Sequence, residues 1–399
     1  MQTNIHPDLV GKDKIAEAEE ILRSCVHCGF CMATCPTYQL LGDELDGPRG
    51  RIYLVKNLLE TNSMDDQSAT HLDRCLTCRS CETTCPSGVR YGRLLDIARD
   101  LMVTRVRRPL RIEVLSRLLR WTVPHPRVFG ALLRLGQLVR PVLPMFIAGK
   151  VPLRQTSVAL NDLPNGSADK TVILLQGCVQ RAATPGVNEA IQSLLQASGC
   201  AVEYLTEEGC CGGLDYHLSD HETGVRRMQT LVDQLYPRLD SVEAIVSSAS
   251  GCGVTIKEYP EILDSSYADR AAAIVDKVVD ISELLDQESF TCRPIRVAVH
   301  TPCTLQHGQQ IDGVIEQILA RAGCEIVPSN EGHLCCGSAG TYSVLQPKLA
   351  ERLRDRKLGS LLREEPEVIV TANVGCQLHL QSGTGTPVMH WTELLARQL

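Results

Sequence analysis

The sequence predicts an α+β protein in which a small helical domain is followed by two copies of an α/β domain with a parallel sheet. Two observations predict this architecture. A cysteine-rich run occurs twice before residue 90, and a different cysteine pattern recurs about 125 residues later in the rest of the chain. With 399 residues, the chain exceeds the size at which a single hydrophobic core usually keeps growing. We therefore expect domain boundaries that give residues 1–100, 101–168, 169–290 and 291–399.

Cysteine is the unusual feature of the composition, since 19 of the 399 residues are Cys. The first twenty residues are polar and acidic, unlike a secretory signal, and no apolar run is long enough to span a membrane. An odd number of Cys in such a chain favours metal ligation or redox chemistry over a disulfide framework. A net charge of −7 and an aromatic content of 4% disfavour nucleic acid as a partner. We expect a cytoplasmic protein.

The first eight cysteines repeat the spacing C-x2-C-x2-C-x3-C-P, which begins at Cys25 and again at Cys75. This is the bacterial ferredoxin pattern for [4Fe–4S] clusters, in which the fourth Cys of each run ligates the other cluster. Zinc is the alternative, but zinc sites use two separated Cys pairs. We expect two [4Fe–4S] clusters, one held by Cys25, Cys28, Cys31 and Cys85, the other by Cys75, Cys78, Cys81 and Cys35.

The segment between the two runs carries two arginines next to the expected clusters. Residues 52–60 have helical spacing, and residues 47–51 are expected to form a loop that contains Arg49 and Arg51. Two interpretations are open. The guanidinium groups either stabilise the reduced, more negative clusters or are solvated residues of a turn.

The remaining cysteines form two matching sets, each with an adjacent Cys-Cys pair followed by Gly. The first set is Cys178, Cys210, Cys211 and Cys252, and the second is Cys303, Cys335, Cys336 and Cys376. Strands are expected at 171–175, 201–205 and 243–248, and again at 295–300, 325–328 and 367–372, with helices at 188–197 and 312–322. This alternation predicts parallel sheets with the key cysteines at the carboxyl ends of strands, where open α/β sheets bind ligands. Cluster binding, thiol redox chemistry and packing are all open for these sets, whereas Cys200, Cys292 and Cys324 are expected to be buried structural thiols.

With these motifs, the chain resembles the iron–sulfur subunits of bacterial glycolate oxidase, also called glycolate dehydrogenase. The resemblance rests on the two N-terminal cysteine runs and on residues 250–259 (SGCGVTIKEY), 303–307 (CTLQH), 333–342 (HLCCGSAGTY) and 371–379 (TANVGCQLH). It implies a subunit that relays electrons from FAD-bearing partner subunits, which oxidise glycolate to glyoxylate, towards a quinone. The same cofactor layout would serve a D-lactate dehydrogenase or an anaerobic glycerol-3-phosphate dehydrogenase.

The chain is also similar to heterodisulfide reductase, whose Cys-Cys-Gly (CCG) domains bind clusters through a C-x2-C at the end of each set. Here Thr255 follows Cys252 by three residues, and His379 follows Cys376 by three. This departure counts against a thiol–disulfide enzyme, which is the alternative function. If one copy holds a further cluster, we expect the second, with His379 as a substitute ligand. Of the histidines in that copy, we consider only His333 and His379 near enough to the cysteines to act.

No Gly-rich dinucleotide motif follows any expected strand, so we expect neither FAD nor NAD in this chain. Residues 101–154 contain eleven Lys and Arg against one acid, Glu113, with apolar residues between them at helical spacing. Basic amphipathic helices are typical of membrane-surface or partner-docking segments. We expect peripheral attachment to the inner face of the bacterial membrane or to a partner, and a plain linker is the alternative.

Overall fold

The N-terminal domain consists of seven helices that surround a leucine-rich core. The computed structural model describes residues 1–142, 151–154 and 170–397 of the chain. Leu22, Leu58 and Leu94 are fully buried at the centre of this domain. The helices are α1 (Asp13–Ser24), α2 (Phe30–Ala33), α3 (Pro36–Leu41), α4 (Pro48–Thr61), α5 (Asp66–Asp73), α6 (Ser80–Thr83) and α7 (Tyr91–Met102).

The expected loop at residues 47–51 was wrong, because α4 begins at Pro48. Proline is favoured in the first turn of a helix, where its missing N–H is not needed and its backbone angle is already helical. Arg49 and Arg51 therefore lie in a rigid first turn rather than in a flexible loop.

Two helices follow, α8 (Leu110–Thr122) and α9 (Pro126–Val139). Thr122 is the only buried residue of α8, and α9 has none. Exposed apolar side chains instead form a stripe on α8 at helical spacing, through Leu110, Val114, Leu118 and Trp121. The expected domain boundary at residue 168 and the basic Lys150 lie outside the described residues.

The two α/β copies have the same sheet topology. Their parallel sheets have the strand orders β2-β1-β3-β4 and β6-β5-β7-β8. The strands are β1 (Lys170–Leu175), β2 (Cys200–Glu203), β3 (Ala244–Ser247), β4 (Val278–Asp280), β5 (Arg296–His300), β6 (Glu325–Ile326), β7 (Val368–Thr371) and β8 (Val388–His390). The predicted parallel sheets are confirmed. The edge strands β4 and β8 were not predicted, since a three-residue strand carries little periodicity.

Helices cover both sheets. In the first copy they are α10 (Gln180–Ala183), α11 (Pro185–Ala197), α12 (Gly213–His217), α13 (His221–Leu235), α14 (Ser250–Lys257), α15 (Tyr259–Ile262), α16 (Ser265–Val275) and α17 (Ile281–Leu285). In the second they are α18 (Val314–Arg321), α19 (Tyr342–Leu345), α20 (Pro347–Leu361), α21 (Val374–Gln381) and α22 (Trp391–Ala396).

The two copies share one hydrophobic core. Helix α11 of the first copy packs on α22 of the second, and α17 of the first packs on α18 of the second. Ile191 and Trp391, both fully buried, belong to this common cluster. The expected structural thiols Cys200, Cys292 and Cys324 are buried in it as well. The pairing is reciprocal, so the copies are related by an approximate two-fold arrangement.

Candidate metal centres

The first cysteine run curls around a cavity beside the start of α4. Between Cys25 and Cys31, the backbone takes left-handed conformations at His27 (φ 56°) and Gly29 (φ 86°). A Cβ atom on Gly29 would lie 2.8 Å from Nη1 of Arg49, so glycine also makes room for that guanidinium group. The cavity is lined by Arg49 and by the cysteines Cys25, Cys28, Cys31, Cys81 and Cys85.

The second run forms a similar loop around a neighbouring cavity. Thr77 (φ 54°) and Arg79 (φ 60°) take the left-handed positions that His27 and Gly29 occupy in the first loop. This cavity is lined by Arg51, Tyr91 and the cysteines Cys35, Cys75, Cys78 and Cys81. Cys81 and Cys85 of the second run thus line the first cavity, and Cys35 of the first run lines the second cavity, which is compatible with crossed ligands.

The chemistry of these cavities fits iron–sulfur clusters. Burial, with the neighbouring thiols Cys25 and Cys85, raises the pKa of Cys31 to about 11. Burial likewise raises the pKa of Cys78 and of Cys81 well above the ordinary thiol value. A bound metal would displace these thiol protons, and its charge would then offset that of the thiolates. Sets of four cysteine thiolates are what [4Fe–4S] clusters use.

Arginines line both cavities: Arg49 lines the first, and Arg51 and Arg79 line the second. Arg51 is 1% exposed, lies 3.5 Å from the carboxylate of Asp46, and donates from Nε to the carbonyl oxygen of His71 at 2.8 Å. Arg49 is 33% exposed and pairs with Glu44 at 2.7 Å. Arg51 is therefore part of the buried framework, whereas Arg49 is held at the surface.

The cysteines of the two α/β copies lie at the carboxyl ends of strands, as predicted, and contact one another in the same order. The Sγ atoms of Cys178 and Cys210 are 3.7 Å apart, and those of the matching pair Cys303 and Cys335 are 3.8 Å apart. In both copies, the second cysteine of the Cys-Cys pair lies near enough to the first, and to Cys252 or Cys376, for these thiols to shift its pKa.

A glycine after each Cys-Cys pair is required by space as well as by conformation. Gly212 and Gly337 have φ values of 83° and 90°. A Cβ atom would lie 2.6 Å from the carbonyl oxygen of Gly224 in the first copy and 2.7 Å from that of Ala350 in the second. The glycine thus lets the pair turn tightly against the helix behind it.

Thr255 and His379, three residues after the last cysteine of each set, both bond to backbone carbonyl groups. The Thr255 hydroxyl donates to the carbonyl oxygen of Gly251 at 2.9 Å, one turn back in its own helix. Nε2 of His379 lies 3.1 Å from the carbonyl oxygen of Ala350. His300, which was not among the expected ligands, lies near two of the thiols. A ring nitrogen of His300 and the Sγ atoms of Cys336 and Cys376 all lie within 4.8 Å of one another.

The second thiol set lies against the N-terminal domain. Cys78 and Leu76 from the second cavity belong to one packed cluster with Cys303 and Cys335. The first copy contacts the N-terminal domain through polar groups instead: Arg93 donates to the Tyr216 hydroxyl at 3.0 Å. Among the described residues, no cysteine of the first set joins an apolar cluster that contains N-terminal residues.

Comparisons with known proteins agree with this architecture. A family model described as a 4Fe-4S dicluster domain matches residues 21–89, and one described as a cysteine-rich domain (CCG) matches residues 172–257 and 297–381. The chain is 47% identical to the glycolate oxidase iron-sulfur subunit of Escherichia coli (strain K12), covering 100% of this chain and 99% of the relative.

Two further relatives are more distant. The probable glycolate oxidase iron-sulfur subunit of Bacillus subtilis (strain 168) is 31% identical over 93% of this chain and 90% of its own length. One of the subunits of the fumarate reductase (CoM/CoB) of Methanothermobacter marburgensis is 25% identical over 94% of this chain and 72% of its own length.

The fold and the matched domains define an iron–sulfur electron-transfer protein that serves as a subunit of an oxidoreductase complex. Its cofactors are iron–sulfur clusters of the [4Fe–4S] type. The chain belongs to the family of glycolate oxidase iron–sulfur subunits. No helix in the described part of the chain is long and apolar enough to cross a membrane.

Proposed function

We propose that this chain relays electrons from FAD-bearing partner subunits, which oxidise glycolate to glyoxylate, towards a quinone. The observation that carries this proposal is the placement of three thiol sites side by side. The two N-terminal cavities are neighbours that both contact Cys81, and the second cavity shares a packed cluster with Cys303 and Cys335. Adjacent redox sites are what a relay needs. The substrate is inferred from the E. coli relative.

We propose the following ligand sets for the clusters. Cys25, Cys28, Cys31 and Cys85 hold the first cluster, and Cys75, Cys78, Cys81 and Cys35 hold the second. Bound there, each cluster accepts and donates one electron at a time. The second α/β copy is the stronger candidate for a further metal centre, through Cys303, Cys335, Cys336 and Cys376, and Cys178, Cys210, Cys211 and Cys252 are the weaker one. The four-part division of the chain at residues 100, 168 and 290 belongs to the same proposal.

We further propose that α8 and α9 attach the protein to an anionic membrane surface. The exposed stripe through Leu110, Val114, Leu118 and Trp121 lies in a segment that carries a large excess of arginine. Apolar side chains of such helices enter the headgroup region, while basic side chains pair with anionic lipids. This attachment would bring the clusters close to membrane quinone. A docked flavoprotein is the competing occupant.

A thiol–disulfide enzyme is the second candidate function. It is favoured by the similarity to the Methanothermobacter fumarate reductase (CoM/CoB) protein and by the adjacent Cys-Cys pairs, of which Cys335 and Cys336 are both buried. Thr255 and His379, which replace the final cysteine of the C-x2-C ending, count against it. D-lactate or glycerol 3-phosphate would replace glycolate as the substrate without any change in this chain's role.

Anaerobic affinity purification from the native cell tests the leading proposal. The expected result is a co-purifying FAD protein, about eight irons per chain from the two clusters, and bleaching of the cluster absorption when glycolate is added. Bleaching by D-lactate or glycerol 3-phosphate alone would reassign the substrate. Reduction of a disulfide by the isolated chain with a low-potential donor would favour the thiol enzyme.

A further inference from the structure

The side chain of His300 is buried without a partner. It is the last residue of β5 and is only 1% exposed. Neither Nδ1 nor Nε2 has a hydrogen-bond partner among the described residues. A buried polar group without a partner destabilises the fold, and such groups in native proteins commonly face an ion or a water molecule. Because both ring nitrogens of His300 lack a partner, a bound ion or water molecule is expected beside the ring.

Two thiols face the same point. A ring nitrogen of His300 and the Sγ atoms of Cys336 and Cys376 lie within 4.8 Å of one another, and all three side chains are buried. Metal–ligand bonds are about 2.0–2.1 Å for imidazole nitrogen and about 2.3 Å for thiolate sulfur. Ligands of one ion therefore lie roughly 3–4 Å apart, so a small side-chain adjustment would close the site.

We propose that His300 is a metal ligand that completes an imidazole–thiolate site with Cys336 and Cys376. The inference deepens the proposed function, because it rests on the second thiol set as a metal centre. Imidazole combined with thiolate suits a thiophilic transition metal, which is either an iron of a cluster or a zinc ion. His300 takes the role that the sequence assigned to His379, whose Nε2 already lies 3.1 Å from the Ala350 carbonyl oxygen.

The first copy provides an internal comparison. Leu175 is the last residue of β1, three residues before Cys178, just as His300 is the last residue of β5, three residues before Cys303. The leucine is also buried, at 6% exposure. The two copies thus present similar chains of thiols, but only the second adds an imidazole at this position.

The test compares His300→Leu, which installs the residue of the first copy, with His379→Gln as the matched control. The full chain is purified anaerobically, and iron, zinc and acid-labile sulfide are counted per chain. Wild-type protein and His379→Gln should contain metal beyond the eight irons of the N-terminal clusters, and His300→Leu should lose that increment while keeping the eight irons. Additional iron with sulfide would identify a cluster, and additional zinc a mononuclear site.

A second variant separates ligation from folding. His300→Cys supplies a thiolate in place of the imidazole, so it should retain the additional metal but lose its nitrogen ligand. Pulsed electron paramagnetic resonance would report this loss for iron, and X-ray absorption for zinc. Equal metal content in wild type and His300→Leu, or wild type with eight irons and no zinc, would overturn the inference and leave the relay proposal intact. Absence of the two N-terminal clusters would instead defeat the relay proposal, while a zinc increment that depends on His300 would still support the inference.

Discussion

The Nδ1 atom of His307 lies 3.0 Å from the Oγ1 atom of Thr83, across the boundary between the N-terminal domain and the second α/β copy. Nε2 of His307 lies 3.0 Å from the carbonyl oxygen of His333. Because a carbonyl oxygen only accepts, Nε2 carries the proton, and Nδ1 accepts from the Thr83 hydroxyl. Thr83 lies between Cys81 and Cys85, so this hydrogen bond fixes a cluster loop against the second copy.

Thr83→Val should therefore destabilise the protein by about 1–3 kcal/mol, because it leaves the buried Nδ1 atom of His307 without a donor. Thr83→Ser keeps the hydroxyl and serves as the control. Urea unfolding of both variants under anaerobic conditions measures the difference, and the iron content should not change. Equal stability of the two variants would show that the hydrogen bond does not stabilise the interface.

The crossed ligand assignment predicts which variants share a spectrum. Cys85→Ser should lose the same cluster as Cys28→Ser, and Cys35→Ser the same cluster as Cys78→Ser, because the fourth cysteine lines the cavity of the other run. Electron paramagnetic resonance of the reduced variants distinguishes the two clusters. If Cys85→Ser matched Cys78→Ser instead, each run would hold its own cluster.

Arg49 can be replaced to test whether a nearby positive charge sets the reduction potential of the first cluster in a protein that stays folded. It lines the first cavity and is one-third exposed, so Arg49→Gln should leave the protein folded. Reduction adds negative charge to the cluster, and removal of a nearby cation should lower the reduction potential of the first cluster by up to about 60 mV, equivalent to ~1.4 kcal/mol for one electron. Arg49→Lys retains the charge and should stay close to wild type in a redox titration. An equal shift in both clusters would point to a general change in structure.

The arginines after α7 have two different environments. Arg105 donates from Nε to Oδ1 of Asn62 at 2.9 Å, and Arg108 pairs with Asp73 at 2.8 Å, so both fasten the segment to the N-terminal domain. The segment also has exposed arginines, and four of them are Arg107, Arg111, Arg127 and Arg134. These four, rather than Arg105 and Arg108, should contact a membrane.

Replacing Arg107, Arg111, Arg127 and Arg134 together by Gln should weaken binding to anionic vesicles at low salt by a factor on the order of a thousand, since each contributes about 1 kcal/mol near such a surface. Co-sedimentation with vesicles that contain an anionic lipid measures this effect, and vesicles of neutral lipid are the control. The N-terminal clusters should remain intact. Unchanged binding to anionic vesicles would make this segment a linker or a protein-docking element.

Two buried groups at equivalent strand ends should change the free energy of unfolding in opposite directions as the pH falls. Burial raises the pKa of Asp280, at the end of β4, to about 6, and lowers the pKa of His390, at the end of β8, to about 4. The raised pKa of Asp280 costs about 3 kcal/mol at neutral pH, and this cost disappears as the pH falls from 6 to 4. The lowered pKa of His390 has the opposite effect: stability of about 3 kcal/mol is lost as the pH falls from 6.5 to 4.

Asp280→Asn should therefore be at least as stable as wild type at pH 7.5 but more sensitive to acid, because the loss from His390 is no longer compensated. His390→Gln should be less sensitive to acid than wild type. Urea midpoints at pH 7.5 and pH 5.5 decide this, and Glu283 and Glu393, which cap the same helices, are unchanged in both variants. Parallel pH dependence in the two variants would contradict the opposed titrations.

The domain architecture could be predicted from the sequence because short cysteine motifs and their repetition indicate it. The doubled spacing from Cys25 and Cys75 indicates two cluster loops, and the repeat from Cys178 to Cys303 indicates two copies of one domain. The side chains that complete the sites were harder to predict. His379 stands at the expected motif position, yet its helix turns the ring towards Ala350.

His300 was not predicted because it is far from Cys336 and Cys376 in the sequence. The fold brings the three side chains together at the ends of neighbouring strands. A signal was nevertheless present. When the two copies are aligned on Cys178 and Cys303, a histidine replaces Leu175 at the end of a buried strand. His300 is polar at a position that is apolar in the other copy. Such a difference between copies indicates a candidate site more directly than the spacing from the nearest cysteine does.

The reciprocal packing of α11 on α22 and of α17 on α18 gives the two copies the geometry of a closed dimer carried on one chain. In a dimer of identical subunits every substitution appears twice, so a histidine gained at one strand end is gained at both. Gene duplication removes this constraint, because each half can accept a substitution alone while the common core keeps both halves folded. Leu175 and His300 differ at equivalent strand ends, and the half whose thiols touch the N-terminal domain is the one that carries the imidazole.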